Sequence, residues 1–198
     1  VGPREAVAAA FAAQPRTGFL PPAARSLAGR DEPVSIGQGQ TNSQPRTVRA
    51  MLELLDVRPG MRVLDVGSGS GWTTALLAEL TGPAGAVTGV ERVPGLVHLG
   101  ADNVSSAGVP WAAVVAARPG VLGVPEGAPY DRILVSAMAR RVPLELVAQL
   151  PPGGVMVVPV DGRMLRVVRR PPPDDDPADA DVTAHGYYRF VPLVVDRP

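Results

Sequence analysis

The chain has 198 residues, a length that suits one domain with a substantial buried core. Lys plus Arg and Asp plus Glu number 19 each, so no net charge points to a nucleic-acid or membrane partner. The absence of cysteine excludes disulfides, thiolate metal sites and cysteine nucleophiles. With no apolar run near the ~20 residues of a membrane span and no signal-peptide pattern, a cytoplasmic protein is expected.

Residues 4–13 are alanine-rich and read as a helix ended by Gln14-Pro15. Residues 17–22 are irregular, and 23–27 are expected to add one helical turn. Residues 33–45 are polar, contain glycine and are rich in hydroxyl and amide groups. They are too long for a simple turn, so a long loop and site candidate is expected. At its end Ser43 is placed to cap the next helix, with Gln44-Pro45 in the first turn. The N–H groups of that helix start also favour an anion. From 46 to 55, Val48, Met51, Leu52 and Leu55 recur at helical spacing and are read as the face packed on a sheet.

Val63-Leu-Asp-Val-Gly-Ser-Gly-Ser-Gly71 then runs as strand, glycine turn and helix start. That order suits a nucleotide-type cofactor, with Asp65 at the strand's end facing the crevice of an open α/β sheet. A dinucleotide fingerprint would put its third glycine at position 72, where Trp72 stands, and no Lys follows as a P-loop requires. What remains is a ligand without a pyrophosphate. The next strand, 86–90, leads into Glu91, 24 residues beyond Gly67, where an acid can accept hydrogen bonds from ribose hydroxyls. A ribose-bearing ligand with a cationic sulfur, S-adenosylmethionine, fits. The plain alternative is a tight glycine turn in an ordinary βαβ unit.

Further on, 73–80 and 94–107 read as helices, 111–116 and 131–137 as strands, and 144–150 as a helix. Residues 155–160 and 164–169 suggest a hairpin about Asp161-Gly162. The Pro- and Asp-rich run 171–177 cannot support a core, so a flexible loop over 171–183 is expected before a last strand at 187–195. His98, read as a packing position, and His185 are taken as structural. Alternating units predict an α/β fold, a doubly wound and mostly parallel sheet with helices on both faces and a β-rich C-terminal end.

Together Gln14–Pro21, Ile36-Gly-Gln-Gly-Gln-Thr-Asn-Ser-Gln-Pro45, 63–71, Val90-Glu-Arg92, 128–133, 149–154 and Phe190-Val-Pro-Leu193 resemble the protein-L-isoaspartate O-methyltransferase family. The Gly-Gln-Thr-x-Ser-Gln-Pro segment is the most specific part, and the match runs along nearly the whole chain. The resemblance implies methylation, from S-adenosylmethionine, of the free carboxylate of isoaspartyl residues in damaged proteins. The ester then closes to a succinimide, which hydrolyses partly back to aspartate.

By motif, Ser43 is the family's catalytic serine, and Thr41 joins it where methyl donor and carboxylate meet. Ile36, Gly37, Gln40 and Asn42 fall on the substrate side. Asp65, Gly67, Ser68 and Gly69 would hold the methionine part, and Glu91 with Arg92 the ribose. The family's adenine-binding Asp falls at Pro119, which leaves the N–H of Gly120 to meet the ring. No metal is implied. The expected organisation is a single methyltransferase domain, 1–198, with an active-site segment 1–45, a cofactor core 46–160 and a C-terminal β segment 161–198. A monomer acting on a peptide or protein carboxylate is expected. A peptide-tailoring enzyme that esterifies aspartate and a non-catalytic binding module of the same fold are the alternatives.

Overall fold

The structure, a computed structural model, describes residues 2–171 and 180–196. In chain order it comprises α1 (Pro3–Ala13), 3-10 turns at Arg16–Phe19 and Pro22–Leu27, β1 (Val34–Gly37), β2 (Gln40–Asn42), α2 (Pro45–Leu55), β3 (Arg62–Val66) and α3 (Trp72–Thr81). Then follow β4 (Ala86–Glu91), α4 (Pro94–Ser106), β5 (Ala112–Ala116), a 3-10 turn at Pro125–Gly127, β6 (Arg132–Val135), α5 (Leu144–Val147), β7 (Val155–Val160), β8 (Arg163–Arg169) and β9 (Ala180–Tyr187).

Seven strands form one sheet in the order β5-β4-β3-β6-β7-β8-β9. Strands β3 to β7 pair in parallel, and β8 and β9 close the far edge antiparallel. The expected doubly wound sheet with a β-rich end is therefore observed. Alternate residues of the central strands serve opposite faces, as a period of two requires. Val63 and Leu134 join the core under α1, α2 and α3, while Leu64, Ile133 and Val135 join the core with α5. The α2 stripe of Val48, Met51, Leu52 and Leu55 is buried as its spacing predicts.

Helix α4 buries Leu96, Gly100 and Val104, every fourth residue. A Cβ on Gly100 would lie 2.9 Å from the Gly69 carbonyl oxygen, and one on Gly71 (φ +83°) only 2.8 Å from the Gly100 carbonyl oxygen. The glycine loop and α4 thus touch backbone to backbone, which no side chain at either position permits.

Six expectations are corrected. Residues 33–45 are not a loop: Val34 and Ile36 are buried two apart, and β1 and β2 form a hairpin about Gly37-Gln38-Gly39, all three at positive φ. Ser43 is not the cap of α2. The N-cap is Gln44, with no side-chain cap bond, and Asp31 Oδ1 accepts the Arg46 N–H at 2.9 Å. The last strand is Ala180–Tyr187, not 187–195, because its partners on β8 run from Arg169 to Arg163. Residues 180–183 of the expected flexible loop are consequently strand, and 172–179 lie outside the described residues. Helix α5 is a single turn, and His98 is exposed on α4.

The hairpin is fastened to the body by Arg16, which is only 5% exposed. Its guanidinium donates five hydrogen bonds: to Asn42 Oδ1 (2.7 Å) and to the carbonyls of Asn42, Ser43, Arg30 and Glu32 (2.9, 3.0, 3.1 and 2.9 Å). Its charge also lies 5.6 Å from the Trp72 ring centre. Burial pulls the Arg16 pKa below the ordinary arginine value, with Asp31 and Glu32 opposing. Five acceptors spread over four residues match a planar fork and not an ammonium. Arg16→Lys and Arg16→Met are both expected to destabilise by roughly 2–5 kcal/mol, because buried carbonyls lose their donor. Thermal melting checks this; a lysine variant as stable as the parent would contradict it.

Candidate active site

The chain leaves β3 toward β4 and β5, then returns to place β6 on the other side of β3. The crevice between the C-terminal ends of β3 and β6 is therefore the switch point at which open α/β sheets bind ligands. Three adjoining hollows open there.

The first is a partly enclosed cavity of about 160 Å³. Its walls are the β3 and β4 ends with Glu91, residues 121–123, Ile36, Gln40 and Thr41 of the hairpin, and 191–196. The second is an open groove between Ser43 to Thr47 and Tyr187 to Val191. The third is a small chamber between 41–43 and the glycine loop 67–70, closed by Trp72 and Thr73. Thr41 and Ser136 line all three.

The glycine loop is held at its root by Gly67 and Ser68 N–H groups donating to the Val90 carbonyl at 2.9 and 3.2 Å. Glu91 is fixed from below. Its Oε1 accepts the N–H groups of Arg92 and Val93 (2.8 and 2.9 Å), and its Oε2 accepts that of Gly69 at 3.0 Å. A carboxylate offers about four lone-pair sites, so acceptor capacity remains toward the cavity.

Asp65 is fully buried one layer behind the chamber wall, where Oδ2 accepts the hydroxyls of Thr73 and Thr74, both at 2.7 Å. Desolvation pushes its pKa up to about 6, the two threonine bonds opposing and Glu91 adding to the rise. Its Oδ1 and the Ser68 Oγ are buried without a hydrogen-bond partner. Two orphaned polar atoms behind one loop leave room there for a polar ligand.

The hairpin residues divide. Ile36, Gln40 and Thr41 line the first cavity, and Ser43 lines the groove and the chamber. Gly37 lines none of the three; it forms the turn. Asn42 is turned inward, 6% exposed, with its side chain bonded to Arg16 and to Ser70 Oγ (3.1 Å), so it does not face the groove. The α2 start is not a free anion site either, since Asp31 already occupies it.

At the end of the cavity where the adenine is expected, Arg118 and Val121 to Gly123 line the wall, whereas Pro119 and Gly120 do not. The Gly120 N–H donates to the Asp196 carbonyl at 2.7 Å and is spent. Arg92 lines the wall and pairs with the Asp196 carboxylate at 2.8 Å. Residues 191–196, read from sequence as part of a strand, are a wall that was missed. So was Ser136, whose only sequence signal is a small residue at a strand's end.

The chain matches the sequence model described as protein-L-isoaspartate(D-aspartate) O-methyltransferase over residues 2–197. Relatives named protein-L-isoaspartate O-methyltransferase include those of Methanopyrus kandleri, 44% identical over 95% of this chain and 83% of that one, and Pyrococcus horikoshii, 40% identical over 96% and 85%. The Aeropyrum pernix relative is 43% identical over 93% of this chain and 71% of its own. A solved protein-L-isoaspartate O-methyltransferase superposes at a TM-score of 0.84 and 27% identity, over 96% of this chain and 61% of that longer one. A Plasmodium falciparum protein in complex with S-adenosyl-L-homocysteine shares the fold at a TM-score of 0.81 and 23% identity, over 96% of this chain and 90% of that one. Matched along nearly its whole length, the chain belongs to the protein-L-isoaspartate O-methyltransferase family.

Proposed function

We propose that this chain methylates the free carboxylate of L-isoaspartyl residues in peptides or proteins, with S-adenosylmethionine as methyl donor. The observation that carries the reading is the meeting of a partly enclosed cavity and an open groove at Thr41, beside Ser43, in a chain of this family. The donor, when bound, supplies an electrophilic methyl group on a cationic sulfur.

The chain's own residues fit that ligand. Glu91 has acceptor capacity left for ribose hydroxyls, and Arg92 and Asp196 border the same wall. The apolar Val121 and Leu122 flank the adenine end. Gly67, Ser68 and Gly69 line the donor side, and the orphaned Ser68 Oγ and the Asp65 charge answer the polar methionine end.

The acceptor needs no base. A carboxylate is ionised at pH 7, so its oxygen forms the bond to the methyl carbon as the carbon–sulfur bond breaks, and no proton moves. What the protein supplies is alignment. Ser43 Oγ holds the carboxylate, Thr41 shapes the donor side, and Ile36 and Gln40 set the wall between them. Neither histidine is required: His98 is exposed on α4, and His185 bonds Thr183 Oγ1 at 2.8 Å on β9, away from all three hollows. The methyl ester then closes to a succinimide as the next residue's backbone nitrogen displaces methanol, and hydrolysis of the succinimide returns part of it to aspartate.

Among the described residues no helix is long and apolar enough to cross a membrane. The reading includes a single catalytic domain working in the cytoplasm as a monomer, without nucleic-acid or membrane partner, and its support there is the balanced charge.

Ser43 does not cap α2, so Ser43→Ala is expected to leave the melting temperature within about 2 °C while cutting kcat by 10²-fold or so through misalignment. Stopped assays with labelled S-adenosylmethionine at saturation, alongside thermal melts, check this. Wild-type kcat in the variant would remove Ser43 from the reaction.

Asp65 gives a pH test. Its carboxyl binds a proton more tightly folded than unfolded, so its contribution to stability is full below pH ~4 and is lost as pH rises to about 6. A ligand ammonium behind the glycine loop favours the charged form. S-adenosylhomocysteine affinity is therefore expected to rise between pH 5 and pH 7. In Asp65→Asn the melting temperature at pH 7 should rise, the affinity should fall and its pH profile should flatten. Calorimetry across that range checks all three; a flat wild-type profile would show that Asp65 does not feel the ligand.

A further inference from the structure

We propose that Ser136 is a catalytic residue that touches the substrate carboxylate, a hydroxyl donor on the wall opposite Thr41; the proposal rests on the carboxyl methyltransferase reading above. Ser136 follows β6 as Gly67 follows β3, so the two residues form the two lips of the switch-point crevice. A Cβ built on Gly67 would lie 3.8 Å from the Ser136 carbonyl carbon, which puts the lips in contact.

Transfer of a group between two ligands takes place where their two sites meet. Of all the residues lining the first cavity, the groove and the chamber, Thr41 and Ser136 alone line every one. Ser43 lines two of the three and does not reach the first cavity.

The backbone at Ser136 is pinned, which a positioning contact requires. Its N–H donates to the Val66 carbonyl at 2.9 Å, Ala137 beside it is buried, and the Met138 N–H donates to the Val191 carbonyl at 2.7 Å. Its own Oγ has no partner among the described residues, so the O–H is available to a ligand.

The chemistry favours a hydroxyl here over a charge. A carboxylate must present one oxygen to the methyl carbon while the other is held. A guanidinium or ammonium would hold it more strongly, but would also draw electron density from the attacking oxygen. Among the described residues no charged side chain lines the chamber, whereas Arg46 and Arg189 line the groove. The junction therefore orients an anion with neutral donors, Ser43 from one side and Ser136 from the other.

The test uses the full chain with Ser136→Ala, Ser136→Thr and Ser136→Val. Four readings are needed: kcat/KM for an isoaspartyl peptide, S-adenosylhomocysteine affinity, affinity of that peptide for protein saturated with S-adenosylhomocysteine, and melting temperature. The expected result is a 10- to 100-fold loss of kcat/KM and a roughly tenfold loss of peptide affinity in the alanine and valine variants. The threonine variant, which keeps the hydroxyl, should recover most of both. Cofactor affinity should stay within about threefold, and melting within a few degrees. An alanine variant with wild-type kcat/KM, threonine and valine variants equally impaired, or a loss matched in cofactor affinity would each overturn the assignment. Absence of isoaspartyl methylation by the wild type would instead overturn the functional reading, and this proposal with it.

Discussion

A buried guanidinium decides where the active-site segment lies. Among the described residues Arg16 has no carboxylate within ion-pair distance, and it is satisfied by four carbonyl oxygens and one amide oxygen drawn from residues 30, 32, 42 and 43. An arginine removed from water needs nearly all of its five donors engaged. The only way to engage these is to wrap the 30–43 stretch around it. Ile36, Gln40 and Thr41, on either side of the hairpin tip, then line the first cavity, and Ser43 falls at the groove. Asn42 is consumed in the same arrangement, which is why it borders the small chamber but faces neither the groove nor the first cavity.

The donor side obeys a different constraint, close packing of main chain on main chain. Gly71 and Gly100 meet where any side chain would strike a carbonyl oxygen, and this draws α4 against the glycine loop. Beneath that loop the fold retains a cost. Asp65 lies in the core with a pKa near 6 and an unpartnered oxygen, so keeping it ionised at pH 7 costs on the order of 3 kcal/mol. Sites that bind a charged ligand commonly hold such strain ready.

The wall at residues 191–196 shows which bonds matter at the mouth of the cavity. The Arg92–Asp196 pair is exposed by 39% and 46%, and such pairs contribute ~1 kcal/mol or less. The backbone bonds of Met138 to Val191, Leu193 to Met138 and Gly120 to Asp196 hold the segment instead, at 2.7 to 2.8 Å. They also explain why Gly120 is unavailable to an adenine ring despite the glycine that keeps its N–H.

The sequence by itself determined the parallel sheet, the glycine loop, the Glu91 position and the family, because these rest on local order: an apolar run, a turn residue, a helix and a fixed spacing. Thr41, Ser43 and Ile36, expected from the sequence at a site, line the hollows at the crevice. Only the tertiary structure decided the rest. That Val34 and Ile36 begin a strand depended on a second strand across a glycine tip, and that Ser43 is not a cap depended on Asp31 arriving from 15 residues before Arg46. The return of residues 191–196 over the crevice, the inward turn of Asn42 and the place of Ser136 at the meeting of three hollows are relations between segments far apart in the chain. Such relations follow from which strand lies beside which, and a local pattern of residue types carries no record of that.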